Sequence, residues 1–245
     1  MLTPPTHATP DVQQAMQAVL RDVWRASELA VARSTTQATG HAALDQELPH
    51  GGWPRSALVE LLVQQNGIGE LQLLKPALAR LSRSQHIALI QPPFIPHAMA
   101  FRSWDIDPRH MLWLQPESSA DAAWAAEQIL KNGSCGAVVL WQTHIRPEAL
   151  RRLNLAAQST DTWLWLVRPL AVAADASPSP LRLALRPAVG GIAVDVIKRR
   201  GPHCETPLFI PLAGMPARQP DHNNEADTLR LPATAAARSA APALV

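Results

Sequence analysis

The sequence predicts an α/β fold: a mostly parallel twisted sheet flanked by helices on both faces, with an antiparallel hairpin appended at one edge. Three observations carry this reading. Short, nearly continuous apolar runs recur at 57–63 (ALVELLV), 87–91 (IALIQ), 111–115 (MLWLQ), 137–141 (AVVLW) and 162–167 (TWLWLV). Helix-like stretches at 70–82, 119–132 and 147–157 alternate with them. Short buried strands alternating with helices make a parallel sheet covered on both sides. After Arg168 the pattern changes to alternating runs at 181–186, 191–198 and 207–212, which predict antiparallel strands at the sheet edge, with Gly190-Gly191 as a hairpin turn.

Size and composition agree with this class. The chain has 245 residues, room for one large domain with tails at roughly 150 residues per domain. Hydrophobic residues make up 47% and charged residues 17%, so there is ample apolar surface to bury and wholesale disorder is excluded.

In chain order, residues 1–10 carry three prolines and little to bury. From Asp11, the residues Val12, Met16, Val19, Leu20 and Val23 recur at helical spacing, which predicts an amphipathic helix over 12–33. Its apolar stripe is expected to pack on its own domain, with a partner protein as the alternative. The polar stretch Ser34–Thr39 leads into the core. In the strand at 162–167, Trp163 and Trp165 project to one face and Leu164 and Leu166 to the other, so both faces are expected to be dry. Residues 169–180 (PLAVAADASPSP) read as a loop. From about 216 to 245 the chain lacks aromatic residues and is rich in Ala and Pro, which predicts a disordered tail.

Charge and cysteine usage exclude several function classes. Twenty-two Lys and Arg against twenty Asp and Glu leave a formal +2, too small to imply a polyanion partner from bulk charge. Cys135 and Cys204 stand far apart with no C-x-x-C spacing, which excludes a disulfide scaffold and a four-thiolate zinc site. Two unrelated thiols suit a reducing cytoplasm. The N-terminus has neither a basic nor an apolar signal region, and no apolar run approaches the ~18 residues of a membrane span. Neither export nor a membrane is expected.

Chains of this class hold ligands at the carboxyl ends of their strands, so the turn after the first core strand is the first candidate site. It reads Gln64-Gln65-Asn66-Gly67-Ile68-Gly69-Glu70. Gly67 and Gly69 ahead of a helix expose backbone N–H groups of the kind that cradle anions. The pattern G-x-x-x-x-G-K-[ST] is absent, however, so no Lys reaches a β/γ-phosphate and no Ser or Thr holds magnesium. Glu70 stands there instead. A like charge about 4 Å from a phosphate oxygen costs on the order of 1–4 kcal/mol at a surface site. The expectation is a tight strand-to-helix turn, with Glu70 favoured at the helix N-terminus by the dipole. A magnesium acid is also missing, because the strand at 137–141 ends in Trp141.

Other chemistry is not visible. Ser134 in Gly133-Ser134-Cys135-Gly136 precedes a strand where a nucleophile elbow follows one, and is expected in a helix-to-strand turn. Asp105 and Asp107, ahead of Pro108, are expected in turn and capping roles. The nine histidines form no i, i+4 helical pair, and His203-Cys204 has no second ligand pair near it in sequence. Neither metal nor cofactor is expected. Lys198-Arg199-Arg200 clusters three cations at a strand end, a candidate contact for a partner or a phosphate backbone, with a solvated turn as the plain alternative.

Residues 39–62, TGHAALDQELPHGGWPRSALVELL, resemble the opening segment of RecA-type recombinases: T-G, a short helix with A-L-D, then L-P-x-G-G-x-P-R and a strand with its Glu. SWDIDPRHMLWLQPESSADAAWAAEQIL (103–130), GAVVLW (136–141) and VDVIKRRGP (194–202) resemble later parts of the same core, in the same order. This implies a RecA-like core over about 40–212. The chemistry departs from it: the phosphate-loop Lys and Thr positions fall at or beside Gly69, Glu70 and Leu71, the magnesium acid falls at Trp141, and QPPFIPH (91–97) lacks the Glu of that family. The loop at 169–180 is shorter than the DNA-binding loop of RecA.

The combination is similar to the ImuA family, RecA-like accessory proteins of an SOS-inducible mutagenesis cassette. Residues 47–81, 124–141 and 150–158 carry that resemblance. It implies a non-catalytic role in error-prone translesion DNA synthesis, in the cytoplasm and at the nucleoid when recruited. The implied partners are ImuB, a catalytically dead Y-family polymerase homologue, an error-prone C-family DNA polymerase and, as a further candidate, RecA. On this reading the chain divides into an N-terminal helix and linker (1–39), a degenerate RecA-like domain (40–215) and the tail (216–245). Two alternatives are a SulA-like inhibitor of cell division and an ATPase with an atypical nucleotide site.

Overall fold

A computed structural model describes residues 36–201 and 206–212. The helix expected at 12–33, the tail expected at 216–245 and the pair His203-Cys204 lie outside the described residues.

The strand runs form one eight-stranded sheet. In chain order its strands are β3 (Leu58–Val63), β4 (Ile87–Ile90), β5 (Met111–Leu114), β6 (Ala137–Trp141), β7 (Trp163–Pro169), β8 (Leu181–Ala188), β9 (Gly191–Lys198) and β10 (Leu208–Pro211). Across the sheet they lie in the order β10-β9-β8-β3-β7-β6-β4-β5. A separate two-stranded ribbon pairs β1 (Thr36–Gln37) with β2 (Trp53–Pro54) antiparallel. The helices are α1 (Ala42–Glu47), α2 (Glu70–Leu81), α3 (Ala98–Ser103), α4 (Ser119–Asn132) and α5 (Pro147–Gln158).

Side-chain alternation along the strands sorts the core into two layers. Val59, Leu61, Val139, Trp163, Trp165 and Val167 pack with α1, α2 and α3 on one face. Leu58, Val138, Leu140, Leu164 and Leu166 pack with α4 and α5 on the other. Both faces of β7 are buried, as its alternating Trp and Leu residues predict. Trp163 and Trp165 stack at 6.2 Å, and Trp53 meets Trp165 edge-on at 5.9 Å. Local chemistry sets the helix ends. Ser118 caps α4 by accepting from the Asp121 N–H at 3.1 Å, and Gly133 ends it in the left-handed region. Pro147 opens α5, where a missing N–H costs nothing. Glu127 of α4 binds Lys131 at 2.7 Å and Arg152 of α5 at 3.1 Å, tying the two helices together.

The structure corrects one part of the expected topology. The β8–β9 hairpin turns at Val189-Gly190, and β10 runs antiparallel to β9, but β8 itself runs parallel to β3. The loop at 170–180 returns the chain to the amino end of the sheet, so β8 enters in the same sense as its neighbour, and only β9 opposes the rest. Strand sense depends on where a loop delivers the chain, which alternation alone does not report.

A buried charge network holds that crossover. Glu60, in the central strand β3, is 0% exposed. Register places Arg182 of β8 opposite it. The Arg182 Nε donates to Glu60 Oε2 at 2.6 Å, Ser177 Oγ donates to Oε1 at 2.8 Å, and Arg168 of β7 lies 3.7 Å away. The remaining Arg182 nitrogens donate to the carbonyls of Val172, Ala173 and Asp175 in the crossover. Four lone-pair sites on the carboxylate and five donors on the guanidinium are thus largely satisfied, which is the condition for burying a charge.

Removing one member of this network strands the other. Glu60→Ala is expected to cost about 3–5 kcal/mol in urea unfolding, whereas Glu148→Ala on exposed α5 is expected to change stability by about 0.5 kcal/mol or less. Equal effects of the two substitutions contradict this account of the crossover.

Candidate functional site

The turn from β3 to α2 is built as an anion cradle and filled from within. Gly67 (φ +80°) and Gly69 (φ +113°) occupy the left-handed region, which other residues enter only at a cost. Gly69 is the N-cap of α2 and Glu70 its first residue. The Glu70 side chain folds back so that both carboxylate oxygens accept from the Gly67 N–H at 3.1 Å. Glu70 is 4% exposed. The amide that an anionic ligand needs is therefore occupied by the chain's own carboxylate, which the helix dipole also favours.

The remaining space is small. Phe94, from the segment after β4, lies over Gly67 so closely that a Cβ there would stand 2.8 Å from its ring. Trp141, at the end of β6, is 6% exposed, and its indole N–H has no acceptor among the described residues. The four residues singled out from sequence, Gly67, Gly69, Glu70 and Trp141, line one cavity of about 170 Å³ together with Phe94 and Trp104. Pockets for small-molecule cofactors run from about 300 to 1,000 Å³. Beside Trp141, Gln142 Nε2 donates to Gln91 Oε1 at 2.6 Å, and Gln91 Nε2 donates to the Pro116 carbonyl at 2.9 Å. Neutral amides tie the ends of β4 and β6.

The cations Lys198, Arg199 and Arg200 lie elsewhere. β9 is antiparallel, so its last residues reach the amino end of the sheet, opposite the glycine turn. Lys198 Nζ donates to the Ser177 carbonyl at 2.8 Å, and Arg199 pairs with the Glu47 carboxylate at 3.0 Å and also binds the Glu47 carbonyl. Arg199 and Arg200 line a cavity of about 400 Å³ with Arg55 and His50. Arg55 itself stacks over Trp163, 4.4 Å from the ring centroid.

The other candidate residues hold structural places. Ser134 and Cys135 sit in the α4-to-β6 turn. The Cys135 thiol is buried, and burial pushes its pKa up, against a smaller opposing hydrogen bond from Ser134. A raised pKa leaves little of the reactive thiolate. Asp107 caps the short helix Pro108–His110, accepting from the Arg109 N–H at 3.0 Å. The hydrogen bonds of the Arg109 guanidinium, then of its backbone N–H, hold the Asp107 carboxyl well below the usual carboxylate range. Asp105 adopts φ +60° in the turn before it.

Sequence reasoning missed two features of this end of the molecule. The first is the Phe94 ring over the glycine turn, which nothing local in QPPFIPH signals. The second is a cavity of about 870 Å³ between the N-termini of α4 and α5, lined by His144, Arg146, Arg152, Arg168 and Asp175. The available signal was a charged residue inside or at the end of an apolar run, Glu60 and Arg168, because such residues are seldom buried unless paired.

No family model matches the chain, and no curated protein matches it. Among solved structures, the crystal structure of SulA from Pseudomonas aeruginosa is similar over 45% of this chain and 96% of that chain, with 27% sequence identity and a TM-score of 0.37.

The plugged turn predicts an asymmetry between two substitutions. Glu70→Gln keeps an acceptor for the Gly67 N–H and is expected to change unfolding free energy by less than about 1 kcal/mol, whereas Glu70→Ala removes it and is expected to cost about 1–3 kcal/mol. If the alanine variant is as stable as the glutamine variant, the carboxylate does not hold the turn.

Proposed function

We propose that this protein is a non-catalytic assembly factor built on a degenerate RecA-like core, and that it serves error-prone translesion DNA synthesis. The observation that carries the reading is the Glu70 carboxylate on the Gly67 amide. A carboxylate in the anion cradle, an indole in place of the magnesium acid and a cavity too small for a triphosphate remove the contributions that phosphoryl transfer needs. A scaffold that keeps its fold without that chemistry acts through its surfaces.

Those surfaces carry apolar side chains suited to protein contact. Phe94 is 65% and Ile95 78% exposed, with Met99 beside them in sequence. Trp124 of α4, Leu155 of α5 and Trp113 of the edge strand β5 are also exposed. Exposed aromatic and aliphatic groups of this size are typical of partner-binding surfaces. The resemblance of residues 47–81, 124–141 and 150–158 to the ImuA family supplies the choice of partners: the Y-family polymerase homologue ImuB, an error-prone C-family polymerase, and RecA as a third.

Two measurements on the full-length protein test this. Co-purification with the Y-family homologue is expected to give a stable complex with and without Mg-ATP, and calorimetry with Mg-ATP is expected to give no saturable heat up to millimolar nucleotide. Micromolar ATP binding with phosphate release, or a complex that forms only with ATP, overturns the proposal.

A further inference from the structure

We propose that the cavity over the plugged turn is a receptor for an arginine side chain of a protein partner, with Glu70 as its counter-ion and Phe94, Trp104 and Trp141 as its aromatic walls. This rests on the reading that the turn holds no nucleotide, and it names the chemistry that the same site recognises instead.

The starting observation is an incompletely satisfied anion. An ionised carboxylate offers about four acceptor sites. Glu70 is buried, yet among the described residues the Gly67 N–H is the sole hydrogen-bond donor to its oxygens and no cation lies within ion-pair distance of it. Glu60 in the same molecule shows the contrast, with two arginines and a serine around its oxygens. Buried charge is tolerated when paired, so Glu70 lacks the partner that Glu60 has.

The cavity that Glu70 lines has the shape and chemistry for that partner. About 170 Å³ is several times the roughly 30 Å³ share of a water molecule, room for the end of one side chain. Phe94, Trp104 and Trp141 line it, and aromatic walls attract cations. A planar guanidinium stacks on aromatic rings, is more weakly hydrated than an ammonium and meets a carboxylate with two parallel hydrogen bonds. Exposed Phe94, with Pro92 and Pro93 in the same lining, gives the cavity an apolar border, the usual surround of a buried arginine anchor.

The test titrates N-acetyl-argininamide into the full-length protein and follows the Trp141 indole N–H resonance, with N-acetyl-lysinamide and the uncharged N-acetyl-norleucinamide in parallel. Saturable millimolar binding is expected for the arginine probe, weaker binding for lysine and none for norleucine. Glu70→Gln, which keeps the turn folded, is expected to weaken the arginine probe at least tenfold, and Phe94→Ala about threefold. No saturable shift with the arginine probe, equal binding by Glu70→Gln, or a preference for norleucine overturns the receptor. A Mg-ATP arm separates this from the broader reading. Displacement of the probe by micromolar ATP defeats the non-catalytic proposal, whereas loss of arginine binding with ATP also silent defeats the receptor alone.

Discussion

A carboxylate with no solvent exposure sits in the middle of the central strand, and much of the architecture follows from having to satisfy it. Glu60 needs cations on both sides, and parallel register supplies Arg182 from β8 while Arg168 arrives from β7. Arg182 in turn needs acceptors, and takes them from the carbonyls of the crossover that brings β8 into place. The network therefore couples three strands and a loop that would otherwise have little apolar surface to hold it. Buried pairs of this kind contribute little net stability over an apolar replacement but heavily penalise any arrangement that separates the partners. Here the penalised arrangements are a shifted register and an antiparallel β8.

The second buried carboxylate has the opposite character. Glu70 sits where backbone geometry is still arranged for an anion, with two glycines in the left-handed region at the start of a twelve-residue helix. The shape of the turn suits an anion, and the chain's own carboxylate supplies it. An internal carboxylate satisfies the same amide that an external phosphate requires, and it does so without losing the translational freedom that a ligand gives up on binding. Phe94 then lies over Gly67 and narrows the space above. Geometry and charge must both be right for phosphate chemistry, and this site retains one of them.

Legibility in the sequence followed the range of the interactions. The bounds of α4 and β6 were readable to the residue, because a cap at Ser118, a stop at Gly133 and a continuous apolar run are local signals. Six-residue α3 and the two-residue strands β1 and β2 were not, since elements so short carry no periodicity and depend on what they pack against. The sense of β8 was misread for a related reason, as a loop's path is a tertiary property. At the candidate site, the two glycines followed by Glu70 were plain from the sequence, and the place of Glu70 at the helix N-terminus followed from the dipole. That its oxygens turn back to Gly67, that Phe94 lies over Gly67, and that Glu60 finds Arg182 across more than a hundred residues were set by contacts that no local pattern encodes.

The central claim is that the chain's own carboxylate occupies the amide that an anionic ligand would need in the glycine turn. A crystal structure grown with magnesium and a non-hydrolysable ATP analogue tests it most directly. The account predicts Glu70 on the Gly67 amide and no nucleotide in the cavity. An ordered triphosphate lying between Gly67 and Trp141, with the Glu70 side chain swung away, would contradict it.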